Sequence, residues 1–276
     1  MVKKFFAVLL APLLVVAQIA LAAAQALPGV GGLGVMRSSG DNSCLQGGND
    51  IYTKILLHMD GSNGGVSFPD TNFGGSAHTW TGAPTPASSA TTVATSPAPK
   101  FGTASMKTSF GQLQTPNSAD FTLGSGNFTV DFWFNPNGNS AGGFKGLFGQ
   151  ADTSGTYPNT VSVEMYRDNA NKLNTIIGVG GNAPSMVSTS TFVTAVWSHI
   201  ALVRNGNVYS FYVNGVQEGT TTFAGAVNAR TSVFAVGGIG GTVPQSDNMF
   251  FDEFRLSVGV ARWTGNFTPP SAPYCP

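Results

Sequence analysis

Cleaving a glycosidic bond takes two carboxyl groups about 5 to 9.5 Å apart across the scissile bond. The chain offers few glutamates for that work, Glu164, Glu218 and Glu253. No Glu-x-Asp-x-Glu run or similar pattern sets acids at alternate positions of one strand, and the adjacent Asp252 and Glu253 point to opposite faces of a regular strand. The histidines, His58, His78 and His199, lack the close spacing of a zinc site. The cysteines, Cys44 and Cys275, are too few and too distant in sequence for a thiolate metal site or a redox pair. The glycine-rich stretch from Val236 to Gly241 has neither the lysine nor the strand-to-helix setting of a phosphate loop and reads as a turn. These residue types point to recognition rather than catalysis.

A carbohydrate-recognition site stacks an aromatic side chain on the apolar face of a sugar and fixes its hydroxyls with a few polar groups. Outward aromatics available for this are Trp80, Trp133, Tyr157, Tyr166 and Trp263. Trp80 and Tyr157, which lie near loops, are the two expected to carry such contacts. Asp252 is the most unusual carboxylate. In FFDEFRLS, alternation puts Phe250, Asp252, Phe254 and Leu256 on a core face, and Phe251, Glu253 and Arg255 opposite. A carboxylate buried there needs a cation or several hydrogen-bond donors.

The elements that must position these groups are strands. Trp197 to Thr222 reads as a three-stranded meander with turns at Asn205-Gly206 and Asn214-Gly215. Its middle strand carries Tyr209, Phe211 and Val213 on one face and Val208, Ser210 and Tyr212 on the other. In FTVDFWF, Phe128, Val130, Phe132 and Phe134 share a face, with Thr129, Asp131 and Trp133 opposite. Roughly a dozen strand-like runs with no helical periodicity predict an all-β sandwich of two stacked sheets. The 36 glycines and 16 prolines fit short strands joined by turns.

With 42% hydrophobic residues, the 276-residue chain has enough apolar material for one sizeable core. Only 9% of residues are charged, and Lys+Arg equals Asp+Glu at 13 each, so no basic stripe offers itself to nucleic acid. Residues 1–26 have the form of a secretory signal: Lys3 and Lys4, an apolar run from Phe5 to about Leu21, then small residues. The expected location is therefore secreted or cell-surface, with the membrane involved only through export. Residues 27–50, rich in Gly, Ser and Asn, read as a flexible linker that carries Cys44, and a single domain is expected over 51–276. Two cysteines flanking the domain of an exported chain suggest a Cys44–Cys275 disulfide, which requires neighbouring first and last strands.

Four stretches, in order, are similar to the laminin G-like modules of the concanavalin A-like lectin/glucanase superfamily. They are ILLHMDGSNGG at 55, FGTASMKTSFGQLQTPNSADFTLGSGNFTVDFWFNP at 101, WSHIALVRNGNVYSFYVNGVQEGT at 197 and FFDEFRLSVGVARWTGNFTPP at 250. The resemblance implies a jelly roll of two curved antiparallel sheets with the first and last strands adjacent. Relatives often hold a structural calcium near the last strand. The expectation carried over is a Ca²⁺ bound by Asp252 with Asp70 or Asp60, an ion that wants six to eight oxygens. The function expected is a non-catalytic recognition or adhesion module for a glycan or a cell-surface protein. The alternatives are a structural surface or virion component of tail or fibre type, and a glycan hydrolase of the same superfamily.

Overall fold

Alternating apolar and polar residues build two antiparallel sheets that enclose one core between them. The computed structural model describes residues 48–84, 92–137, 143–193, 195–241 and 248–275, all within one compact unit, Asp41–Pro276. The signal segment, most of the linker and Cys44 lie outside the described residues. Among the described residues, no helix is long and apolar enough to cross a membrane.

The strands run in chain order as β1 (Thr53–Leu57), β2 (Thr81–Pro84), β3 (Thr92–Ala94), β4 (Ser105–Lys107), β5 (Gly111–Thr115), β6 (Phe128–Asn135), β7 (Lys145–Ala151) and β8 (Val161–Arg167). They continue as β9 (Leu173–Ile177), β10 (Ser185–Val187), β11 (Ser198–Asn205), β12 (Val208–Val213), β13 (Val216–Thr222), β14 (Phe234–Val236) and β15 (Phe250–Val258). The larger sheet has the order β13-β12-β11-β6-β15-β4-β3, with β1 also paired to β15. The smaller sheet has the order β10-β9-β8-β7-β14-β5-β2. The first and last strands are neighbours, as the sequence required. The proline-containing stretch 83–99 contributes, among the described residues, to β2 and β3, each at a sheet edge, where a missing N–H breaks no ladder.

Phe128, Val130, Phe132 and Phe134 of β6 and Tyr209, Phe211 and Val213 of β12 all enter the core, as alternation predicts. The turn after β12 is Asn214-Gly215, with φ of 48° and 78° at its two central positions. The preceding turn differs from the reading. Asn205 still pairs with Val208, so the turn residues are Gly206 and Asn207, with only Gly206 at positive φ (60°).

The phase of β15 also differs. A bulge between Asp252 and Arg255, with Glu253 at φ 50°, inserts one extra residue into the ladder with β6. Phe251, Phe254 and Leu256 consequently face the core. Asp252, expected inside, instead sits opposite Trp133 on the outer side of the sheet, where it and Glu253 lie close enough to repel.

That outer side is sealed by both ends of the described chain. Trp263 and Phe267 stack at 4.0 Å over Ala201, Val203 and Tyr212 in a second apolar cluster. Tyr274 lies over the Arg255 guanidinium at 3.8 Å and donates its hydroxyl to Asp131. Residues at the end of the expected linker are part of this packing. Gly48 is buried and its carbonyl accepts from Arg255 at 3.0 Å, while Asp50 accepts from Arg262 at 2.9 and 3.1 Å.

Candidate functional site

The outer face of the smaller sheet carries a group of aromatic side chains around one carboxyl. On β8, Val163 and Met165 point into the core, which turns Ser162, Glu164 and Tyr166 the other way. A bulge between Gly146 and Phe148 lets both Leu147 and Phe148 enter the core and leaves Gly146 and Gly149 on the outer face. Tyr166 therefore lies between Gly146 and Asn174, and Glu164 between Gly149 and Ile176. Glycine is required at both β7 positions. A Cβ at Gly146 would meet Gly238 and Ile239 at 2.8 to 2.9 Å, and one at Gly149 would meet Glu164 at 2.9 Å.

Phe144 is 54% exposed and meets Tyr166 edge-on, with ring centroids 5.0 Å apart, and Tyr157 is 57% exposed. Glu164 is only 7% exposed, and among the described residues its carboxyl accepts no hydrogen bond and forms no ion pair. Burial alone pushes its carboxyl up to about 7. The phenols of Tyr157 and Tyr166 are raised by desolvation first and then by the charge of Glu164, so all three groups share one local field.

Of the two aromatics expected to stack on sugar, Tyr157 belongs to this patch and Trp80 does not. Trp80 is 6% exposed, packs edge-on to Phe234 in the core, and donates its indole N–H to Asp70 at 3.1 Å. Its loop position in sequence suggested exposure, but the hydrogen-bonded indole anchors the loop inward. Trp133 and Trp263 pack on the larger sheet instead, both edge-on to the buried His199 at 5.3 and 5.7 Å. Phe144 escaped the sequence reading because it precedes β7 among glycines and looked like any strand-entry residue. The pairing of Glu164 with Tyr166 at alternate positions was the signal that could have located the patch.

Of the three aspartates expected to share a calcium ion, Asp60 and Asp252 come close enough to interact on the 100–104 segment, but each is bonded to protein donors and Asp70 is bonded to other segments. Asp70 accepts from the Leu56 N–H at 2.9 Å, from Trp80, and sits 2.9 Å from His78 Nδ1. Asp60 accepts from the Thr103 hydroxyl at 2.9 Å and from the Ala104 N–H at 3.1 Å. Asp252 accepts through one oxygen from the Lys100 and Phe101 N–H groups at 2.8 and 3.0 Å. Desolvation raises Asp252 well above the usual carboxylate range, those two bonds notwithstanding. Among the described residues, no group of three or more His, Cys, Asp or Glu side chains could hold a metal ion. The set Asp252, Asp70 and Asp60 therefore does not fit a six-to-eight-oxygen ion; each holds backbone of a neighbouring segment.

Cys275 is disulfide-bonded, while Cys44 lies outside the described residues. A groove lined by Phe223, Gly225, Asn228 and Arg230 has Arg230 as its charged lining group, and Arg230 is already paired with Asp152 at 3.2 Å.

A sequence model described as "Concanavalin A-like lectin/glucanases superfamily" matches residues 107–257. No curated protein is similar enough in sequence to match. Among solved structures, the binding domain of Paraclostridial Mosquitocidal Protein 1 matches with a TM-score of 0.57 and 11% identity, over 76% of this chain and 50% of that one. The botulinum neurotoxin serotype D ligand binding domain in complex with N-acetylneuraminic acid matches with a TM-score of 0.53 and 12% identity, over 77% and 49%. A Trypanosoma rangeli sialidase in complex with 2,3-difluorosialic acid matches with a TM-score of 0.52 and 14% identity, over 78% and 32%. The chain thus spans about half the length of the toxin domains it matches. At these identities the likeness is one of fold.

Proposed function

The chain belongs to the concanavalin A-like lectin/glucanases superfamily, and from that premise we propose that it is a non-catalytic recognition module for carbohydrate. The observation that carries the reading is the cluster of Tyr157, Phe144 and Tyr166 around Glu164 on the outer face of the smaller sheet. Exposed aromatic faces suit the apolar side of a sugar ring, and the sheet beneath holds them rigidly. The toxin domain bound to N-acetylneuraminic acid is support by analogy of fold alone.

The same patch argues against hydrolysis. Asp168 is the acid nearest to Glu164 along the chain, and it is fully engaged in closing the β8–β9 turn. It accepts from the Ala170 and Lys172 N–H groups at 2.8 and 2.9 Å and from Asn174 at 2.8 Å. Among the described residues no second carboxyl acts on Glu164, whereas glycoside cleavage uses two. Export through residues 1–26, residence outside the cell and a Cys44–Cys275 bond belong to the same proposal.

A glycan array probed with the exported chain and with Tyr157→Ala tests it. Selective binding by the parent, lost or weakened at least tenfold in the variant, is the expected result. Silence of folded parent protein across a broad array, or binding unchanged in Tyr157→Ala, overturns the reading.

A further inference from the structure

We propose, building on the carbohydrate reading, that Glu164 with Tyr157 and Tyr166 forms a subsite for a cationic group, the protonated amine of an amino sugar. Glu164 is more than nine-tenths buried at the centre of the patch, and among the described residues nothing donates to it. No cation influences its carboxyl. Its carboxyl oxygens nonetheless reach the surface, so a partner arriving from outside can meet a carboxyl that burial has otherwise left without one.

The groups that face Glu164 define the partner's charge. Tyr166 lies on its own strand and Tyr157 on the preceding loop; both are phenols. Gly149, Ile176 and Ile239, from β7, β9 and the loop after β14, carry no titratable group. Asp168, beyond Tyr166, adds further negative field. Aromatic faces and a carboxylate both attract an ammonium ion, and Glu164 is the one group there that gains a full ion pair from it. Among the described residues, a ligand carboxylate would find no donor cation at the same place. The subsite therefore selects amine-bearing sugars over acidic ones.

Tetramethylammonium, whose charge is independent of pH, is the direct probe, with uncharged tert-butanol as its control. In an NMR titration of the full exported chain, tetramethylammonium affinity should tighten at least tenfold between pH 5.5 and 8.5. A carboxyl titrating near 7 passes from about 3% to about 97% ionised over that range. Tert-butanol should show no such change. In Glu164→Gln, with folding checked by thermal melting, the cation's pH dependence should vanish and its affinity fall to that of tert-butanol. Equal binding of the two probes, binding that weakens as pH rises, or an unchanged Glu164→Gln would each overturn the proposal. The carbohydrate reading is judged separately, by the array and Tyr157→Ala, and a neutral glycan bound there alongside a failed tetramethylammonium titration would sink only the cation subsite.

Discussion

Arg255 donates to both carboxylate oxygens of Asp131, at 2.9 and 3.2 Å, with the pair 1% and 0% exposed between β15 and β6. Desolvation works to raise Asp131, but the Arg255 charge and His199, whose Nε2 lies 3.5 Å away, outweigh it and hold the carboxyl far below the usual range. Removing one partner strands a buried charge, so Arg255→Ala should lose about 3 to 5 kcal/mol in chemical denaturation. A loss under 1 kcal/mol would mean that water or another cation replaces the guanidinium. Because the folded-state pKa is depressed, the pair's contribution is complete above the unfolded value near 3.9 and declines as pH falls below it.

Glu164 has the opposite sign. Its folded pKa, about 7, lies above the ordinary glutamate value of 4.5, so the folded state retains a proton that the unfolded chain has released. Stability should fall as pH rises from about 4.5 to about 7, by roughly 3 kcal/mol, and level off above. Glu164→Gln should therefore be more stable than the parent at pH 8 and indistinguishable at pH 4. Urea denaturation at those two values checks this; equal stability at pH 8 would show that Glu164 is already solvated or paired.

Trp80 and Tyr157 should separate stability from binding. Trp80→Ala removes a core indole and leaves Asp70 without one donor, a change expected to cost about 3 to 5 kcal/mol. Tyr157→Ala, at a 57% exposed position, should leave the melting temperature within a degree or two while weakening glycan binding. The reverse pattern in melting and binding assays would relocate the ligand to the Trp80 loop.

Cys275 adjoins Tyr274, which stacks on Arg255, and a Cβ at Gly48 would lie 2.8 Å from the Cys275 N–H nitrogen. Gly48 thus lies beside Cys275, which supports the proposed Cys44–Cys275 bond. Under reduction, or in Cys275→Ser, stability should drop by about 2 to 5 kcal/mol. Peptide mapping without reductant should recover Cys44 and Cys275 as one linked fragment; their recovery as separate thiols, or bonded to other chains, would refute the pairing.

Much of the fold could be read from β6 and β12, where strict alternation of large apolar side chains leaves one possible facing for each residue. The adjacency of β1 and β15 was implied by the resemblance to laminin G-like modules. The Asp252 placement failed because alternation assumes an unbroken ladder, and one residue at positive φ, Glu253, puts the residues before it out of phase with those after it. Trp80 failed because nothing local announces that Asp70, ten residues earlier, will receive its N–H. Only half of the candidate patch was visible in advance. Tyr157 and Tyr166 stood out as outward aromatics, but the isolation of Glu164 depends on Ile239 and on two glycines of β7, residues far apart in sequence and chemically plain.

The two ends of the described chain meet on the outer side of the larger sheet, whereas Tyr157, Tyr166 and Glu164 occupy the outer side of the smaller one. Any anchor joined near Gly48 or Cys275 would hold the module by its back. The patch would then face outward from the supporting surface, and many copies fastened in a row would present a continuous field of such patches, gaining grip through number rather than through the strength of any single contact.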